Sequence, residues 1–228
     1  VNVTGSLQQY LRQLEELGGR ELFLNTMTRA AALDAAASPR QAQSPALEIL
    51  GQRAAGCTLC RLHQTRSTVV FGEGDPAAEL VVVGEAPGQE EDRTGRPFVG
   101  RAGKLLDLLL MSVGFPREQV YICNVLKCRP PENRNPLPDE ISLCTTNYLF
   151  GQIEAIAPRV LLAIGRFATQ ALLNTDGAIG RLRGRLHEWR GTPLIVSYHP
   201  AFLLRSPNMV RAAWSDFQLV RTVLDEQA

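Results

Sequence analysis

The stretch Leu80–Gly88, LVVVGEAPG, decides the fold. A run of β-branched and aliphatic residues breaks off into Gly-Glu-Ala-Pro-Gly. That is the pattern of a strand buried on both faces and closed by a turn. In an open α/β sheet such a turn lies at the carboxyl end of the strand, where these folds place their ligands. Two other segments are built to meet it. One is Asn124 with its neighbouring cysteines, and the other is Ser197–Arg205, SYHPAFLLR.

Working outward, strands alternate with helices. Val69–Phe71, Leu80–Val83, Val120–Val125, Val160–Ile164, Leu186–Trp189 and Leu194–Ser197 read as strands. Ala46–Ala55, Arg101–Val113, Pro138–Ala157, Gly165–Leu173 and Val210–Leu224 read as helices. The alternation predicts an α/β fold of three layers, α/β/α, around a mainly parallel four-stranded sheet. Between two of these elements, Lys127–Pro138, KCRPPENRNPLP, has too many prolines for a helix or a central strand and reads as a structured loop. Leu7, Leu11, Leu14 and Leu17 fall at helical spacing before Gly18-Gly19. An Ala/Gln/Ser/Pro-rich stretch then follows. Residues 1–45 therefore read as a helical extension with a linker, and 46–228 as one domain.

Composition excludes several classes. The 228 residues are 45% hydrophobic and 21% charged, ordinary for a soluble protein. No apolar run reaches membrane-spanning length and no signal peptide is evident, so the expected location is the cytoplasm and no membrane partner is expected. The net charge of +1 gives no bulk attraction for nucleic acid, so any basic face must be local. Five cysteines without an export signal lean toward a metal site rather than disulfides. Cys57 and Cys60 form a C-x2-C pair; Cys128 and Cys144 frame the proline loop, which needs an external tie. Four thiolates can hold zinc or an iron–sulfur cluster, and spacing does not decide between them. Cys123 sits within a strand and reads as core.

Polar residues gather at the strand ends: Glu85, Glu90, Glu91 and Asp92 after the first, Asn124 after the second, His199 after the last. Phe98, in Gly95-Arg-Pro-Phe-Val-Gly100, adds an aromatic. One planar aromatic, an amide, an imidazole and a carboxylate suit a small planar, hydrogen-bonding ligand such as a nucleobase.

GEAPGQEEDRTGRPFVGRAGKLLD, NVLKCRPPENRNPLPDEISLC and YHPAFLLR, in that order, resemble the family 4 (iron–sulfur) uracil-DNA glycosylases. The resemblance runs from about Leu50 to Leu224. It implies a uracil-DNA glycosylase fold, a [4Fe–4S] cluster on Cys57, Cys60, Cys128 and Cys144 that is structural rather than redox-catalytic, and a single- or double-stranded DNA substrate containing uracil. It also implies a monofunctional enzyme that flips the nucleotide, hydrolyses its N-glycosidic bond and leaves an abasic site. Phe98 matches the aromatic that stacks on the flipped base, Asn124 the uracil reader, and His199 the donor to uracil O2. Backbone groups of Glu85 and Ala86 are expected to line the pocket. Where the best-known glycosylases of the wider superfamily carry a water-activating Asp, this chain has Ala86, an absence that is normal in family 4, where a glutamate is the usual candidate; Glu91 is the first candidate for that role and Glu85 the second.

Leu203 matches the wedge that fills the vacated stack, with Phe202 or Leu204 as alternatives. Arg101 and Lys104 open a helix whose free N–H groups suit a phosphate, and Arg205 is a further DNA contact. Arg181, Arg183 and Arg185 are weaker phosphate candidates. Other readings are a same-fold glycosylase for hypoxanthine or xanthine, a lesion-binding module without catalysis, and a zinc-stapled structural protein. The expected oligomeric state is a monomer.

Overall fold

The computed structural model describes residues 45–226, which fall within one compact unit of the chain. The expected N-terminal helix and linker lie outside the described residues, save for Pro45. Six strands form one sheet: β1 (Glu73–Gly74), β2 (Leu80–Gly84), β3 (Tyr121–Asn124), β4 (Val160–Ile164), β5 (Leu186–Trp189) and β6 (Thr192–Ser197), in the order β1-β3-β2-β4-β6-β5. The inner four, β3-β2-β4-β6, are parallel. β1 and β5 add antiparallel edges, so the sheet has six strands rather than the four expected. β5 joins through a tight hairpin at Arg190-Gly191, where both φ angles are positive and the turn twists with the strands. β1 is two residues long and starts beyond Val69–Phe71, which is not a strand; Gly72 and Gly74 hold positive φ there, so the chain meets β3 only briefly.

Every residue of β2, β3 and β4 is buried, which explains continuous apolar runs in place of alternation. One sheet face, including Val81, Val83, Cys123, Leu161 and Val196, packs with Leu149, Ile153, Ala168 and Leu172. These come from the helices α5 (Phe150–Ile156) and α6 (Arg166–Leu173) and the turn before α5. The other face carries α9 (Val210–Glu226), which packs on β4, β6 and α3 (Arg101–Met111). Each fully buried Val or Leu in these layers contributes about 1.5–3 kcal/mol relative to an exposed one. The remaining α-helices of the described residues are α1 (Pro45–Ala55), α2 (Gln89–Thr94), α4 (Pro138–Cys144), α7 (Ile179–Leu182) and α8 (Pro200–Leu203). Cys123 is buried among the core residues, as read from the sequence.

The expected long helix from Pro138 is present in three parts: α4, a π turn over Thr145–Leu149, and α5. The π turn begins directly after Cys144. Such an extra residue in a helix re-aims the side chains beside it and is frequent at functional sites.

Candidate active site

The parallel register brings the site together. Gly84 ends β2 beside Asn124 at the end of β3, and Ile164 ends β4 beside Ser197 of β6, two residues before His199. A Cβ on Gly84 would stand 2.4 Å from Asn124 Oδ1 and 2.5 Å from Phe98 Cζ. Only glycine fits here, because the amide and the ring converge on the space a side chain would take. The rings of Phe98 and His199 are 5.6 Å apart and tilted by 36°. The cradle thus draws on residues 84, 98, 124 and 199.

Asn124 is 1% exposed, and its Oδ1 has no hydrogen-bond partner. A buried amide oxygen left unpaired costs free energy in the free protein and is repaid by a ligand that donates to it. His199 Nδ1 accepts the Ala201 N–H at 3.1 Å, which leaves the ring proton of the neutral imidazole on Nε2. Burial, aided by the nearby Arg205 charge and opposed by Glu91, pushes the His199 pKa down to about 4. The imidazole is therefore neutral at physiological pH and offers one N–H.

Phe98 holds φ of +51°, a conformation that bulky residues rarely adopt. Arg117 fixes it by donating to the Pro97 and Phe98 carbonyls while pairing with Asp107 at 2.9 Å. Gly103 permits α3 to press on the Phe98 carbonyl, since a Cβ there would lie 1.8 Å from that oxygen. Arg117 carried no sequence signal of this role; it lies 19 residues from the loop it secures.

The two glutamates differ. Glu91 is committed: its carboxylate accepts the Gly88 N–H at 3.1 Å and those of Val99 and Gly100 at 2.9 Å. It ties the β2 loop to the Phe98 loop and caps α3. The helix start expected to be open to a phosphate thus already holds an anion supplied by the chain itself. The Glu85 carboxylate is half-buried at the end of β2 and accepts no hydrogen bond among the described residues. Burial raises its pKa, opposed by the Arg166 charge. Ala86 is half-buried against the core, and the Glu85 carbonyl accepts the Leu126 N–H at 3.0 Å. Of the other acids, Asp92 is buried on the Ser67 and Thr68 N–H groups, and Glu90 pairs with Arg93.

Leu203, expected to be the wedge, is 1% exposed, whereas Leu204 is 40% exposed. Pro200 and Leu203 stand three apart on the inner face of α8, and the next residue turns outward. Arg101, Lys104 and Arg205 are exposed and enter no ion pair among the described residues. α8 packs against α3, which brings these cations to one flank. Arg183 is instead spent on buried Asp216, and Arg185 donates to the Arg181 carbonyl.

The four cysteines singled out in the sequence line one recess with Leu59, Arg66 and Lys127. The recess is partly open to solvent. Among the described residues no three His, Cys, Asp or Glu side chains close on a point suited to one metal ion. Arg66 donates to Cys128 Sγ at 3.2 Å and the Lys127 backbone N–H to Cys144 Sγ at 3.3 Å. Burial pushes the Cys128 thiol up and that of Cys144 to about 12. A bound cation reverses that preference by stabilising the thiolates. The proline loop is anchored by buried Glu140, which pairs with Arg134 at 2.6 Å and accepts the Leu137 N–H. Among the described residues no helix is long and apolar enough to cross a membrane.

Comparison with known proteins gives a concordant result. A family model described as the uracil DNA glycosylase superfamily matches residues 71–218. A type-4 uracil-DNA glycosylase of Thermotoga maritima is 44% identical over 187 residues, covering 79% of this chain and 96% of that protein. One from Archaeoglobus fulgidus is 46% identical over 172 residues, 72% of this chain and 86% of the relative. A type-5 uracil-DNA glycosylase of Thermus thermophilus is 35% identical over 57% of this chain and 68% of its own length.

Proposed function

The chain belongs to the uracil-DNA glycosylase superfamily and its type-4 branch, and from that premise we propose that it excises uracil from DNA by hydrolysing the N-glycosidic bond. The observation that carries this reading is the buried, unpaired Oδ1 of Asn124, set beside the ring of Phe98 over Gly84.

The residues divide the work. Phe98 stacks on the extruded base. Asn124 Oδ1 accepts uracil N3–H while its amide N–H donates to O4; cytosine presents the opposite polarity at both atoms and is refused. As the bond to the sugar breaks, negative charge grows on the base, and the Nε2–H of neutral His199 meets it at O2. That donor acts most strongly in the transition state. The sugar becomes oxocarbenium-like and water attacks its anomeric carbon. We assign the water to Glu85, whose carboxylate is free and whose raised pKa suits a proton acceptor. Glu91 positions the Phe98 loop. Leu204, with its outward side chain, is the wedge, and Arg101, Lys104 and Arg205 meet phosphates. All of these groups come from one chain, which supports a monomer as the working unit. A DNA substrate supports a location beside the genome, in keeping with the cytoplasmic location expected from the sequence.

Cys57, Cys60, Cys128 and Cys144 would hold a [4Fe–4S] cluster. The sulfur donor set fits it, and two sulfurs already accept N–H bonds. When bound, the cluster supplies a structural tie between α1, the proline loop and α4, not a chemical step. Cys128→Ala is expected to lose iron, sulfide and visible absorbance together, with a lower unfolding midpoint. A fully loaded variant would refute the ligand set, and zinc in the wild type would replace the cluster by an ion.

The function is tested with anaerobically purified protein on matched oligonucleotides carrying one uracil or one thymine, followed by hot alkali. Only the uracil strand should break. Glu85→Gln is expected to slow single-turnover release by about 10²–10⁴. Glu91→Gln should instead lower the melting midpoint by roughly 5–10 °C through weakened charge-assisted bonds, with a smaller rate loss. No cleavage by the loaded protein overturns the proposal; a larger rate loss in Glu91→Gln than in Glu85→Gln returns the water to Glu91.

A further inference from the structure

Lys127 is 2% exposed and among the bulkiest fully buried side chains. No ion pair of the described residues includes it. An ammonium removed from water without an opposite charge is strongly unfavourable. Two groups touch its tip. Nζ donates to the Asn124 carbonyl at 2.7 Å and stands 5.9 Å from the centre of the Phe71 ring. Neither carries a formal charge.

The rest of the residue indicates where the counter-charge lies. Its backbone N–H donates to Cys144 Sγ, its neighbour in sequence is Cys128, and it lines the cysteine recess. Four thiolates around a zinc ion or an oxidised [4Fe–4S] core leave about two net negative charges.

The Nζ bond also closes a turn directly after β3. Val125 and Leu126 extend the pairing with β2 through their N–H bonds to Gly84 and Glu85. The main chain of Asn124 is thus held from one side by β2 and from the other by Lys127. The Asn124 side-chain oxygen has no protein partner to fix it, so its aim depends on that main-chain frame.

We propose that Lys127 is a positioning residue that couples the cysteine-bound group to the base pocket. The negative charge of the group holds the ammonium inside, and the ammonium, through the Asn124 carbonyl, holds the reader of the base in place. The inference rests on the cysteine site and uracil reading given under the proposed function.

Lys127→Met keeps the stem and removes charge and donor, while Lys127→Arg keeps both. Each is purified anaerobically and measured for iron and sulfide, for the reduction potential of the bound group, and for affinity toward free uracil by calorimetry. Loaded Lys127→Met is expected to be harder to reduce, because a nearby positive charge has gone, and to bind uracil about tenfold more weakly, the effect of one lost neutral hydrogen bond. Lys127→Arg should restore both toward wild type. A loaded Lys127→Met with unchanged potential and unchanged uracil affinity overturns the proposal. If the methionine variant does not load, the arginine variant decides: wild-type potential and affinity support the coupling, and a loaded arginine variant that has lost either refutes it. Failure of the underlying reading is seen separately, in the wild type, as absence of iron or of uracil release.

Discussion

Asn124→Asp releases uracil on the order of a thousandfold more slowly than the wild type in a single-turnover reaction, and what release remains shifts toward cytosine. The reasoning starts from burial. Asn124 is 1% exposed, so no water compensates a wrong polarity at its tip. The amide offers one acceptor and one donor to the base. A carboxylate offers acceptors only, so the lone pairs of uracil O4 face those of the side chain. Protonation of the acid restores a donor, and that form can pair with cytosine N3 while its carbonyl accepts from the exocyclic amine. The change is nearly isosteric, so Phe98 and Gly84 keep their places. The check is base release from uracil and cytosine duplexes, with unfolding midpoints recorded beside it. A wild-type rate and selectivity would remove Asn124 as the reader.

His199→Ser slows the same reaction by about a hundredfold or more, as for removal of one transition-state donor. The wild-type pH profile supplies a second reading. The His199 pKa is lowered from 6.5 to about 4 by burial, with Arg205 contributing. The neutral, donating form therefore persists as pH falls through 6.5, and a loss of rate assigned to this residue begins only on approach to about 4. The sign for stability follows from proton binding. Between 6.5 and about 4 the unfolded chain holds a proton on this residue that the folded chain does not. Stability is therefore complete above 6.5 and declines as pH falls through that window. In His199→Ser this part of the acid destabilisation disappears. An ordinary histidine limb near 6.5 in the wild-type rate, with no change in that limb in the variant, would take His199 out of the mechanism.

Much of this was legible in the chain because the relevant signals are local. The run Leu80–Gly88 announced a doubly buried strand and its turn, and the four inner strands followed from similar runs. Phe98, Asn124 and His199 lie next to such strand ends, so the topology alone gathers them. What escaped was decided by contacts remote in sequence or by one residue of phase. Leu203 and Leu204 are equally apolar, and only the spacing from buried Pro200 determines which faces inward. The three acids Glu90, Glu91 and Asp92 look alike in sequence; one pairs with a neighbouring arginine, one caps the Phe98 loop and one anchors the chain at Ser67. Arg117 and Lys127 carried no signal, because nothing in a linear sequence reveals that carbonyls of Phe98 and Asn124 will point at them. Edge strand β5 was legible as Leu186–Trp189, whereas β1 was blurred by Gly72 and Gly74, whose conformations only the pairing explains.

The order of the strands has a consequence for how the enzyme is made. β2 stands inside the sheet, β3 adds on one side, and β4 and β6 then add on the other. A chain leaving the ribosome N-terminus first delivers Phe98, then Asn124, and only some seventy-five residues later His199. Parallel pairing over such separations has high contact order and closes late. A partly synthesised or truncated chain can therefore carry Phe98 and Asn124, the proposed readers of the base, while lacking His199, the donor proposed to stabilise it as the bond breaks. Hydrolytic competence is conferred only once nearly the whole domain exists, so abortive fragments are poor candidates for stray damage to DNA.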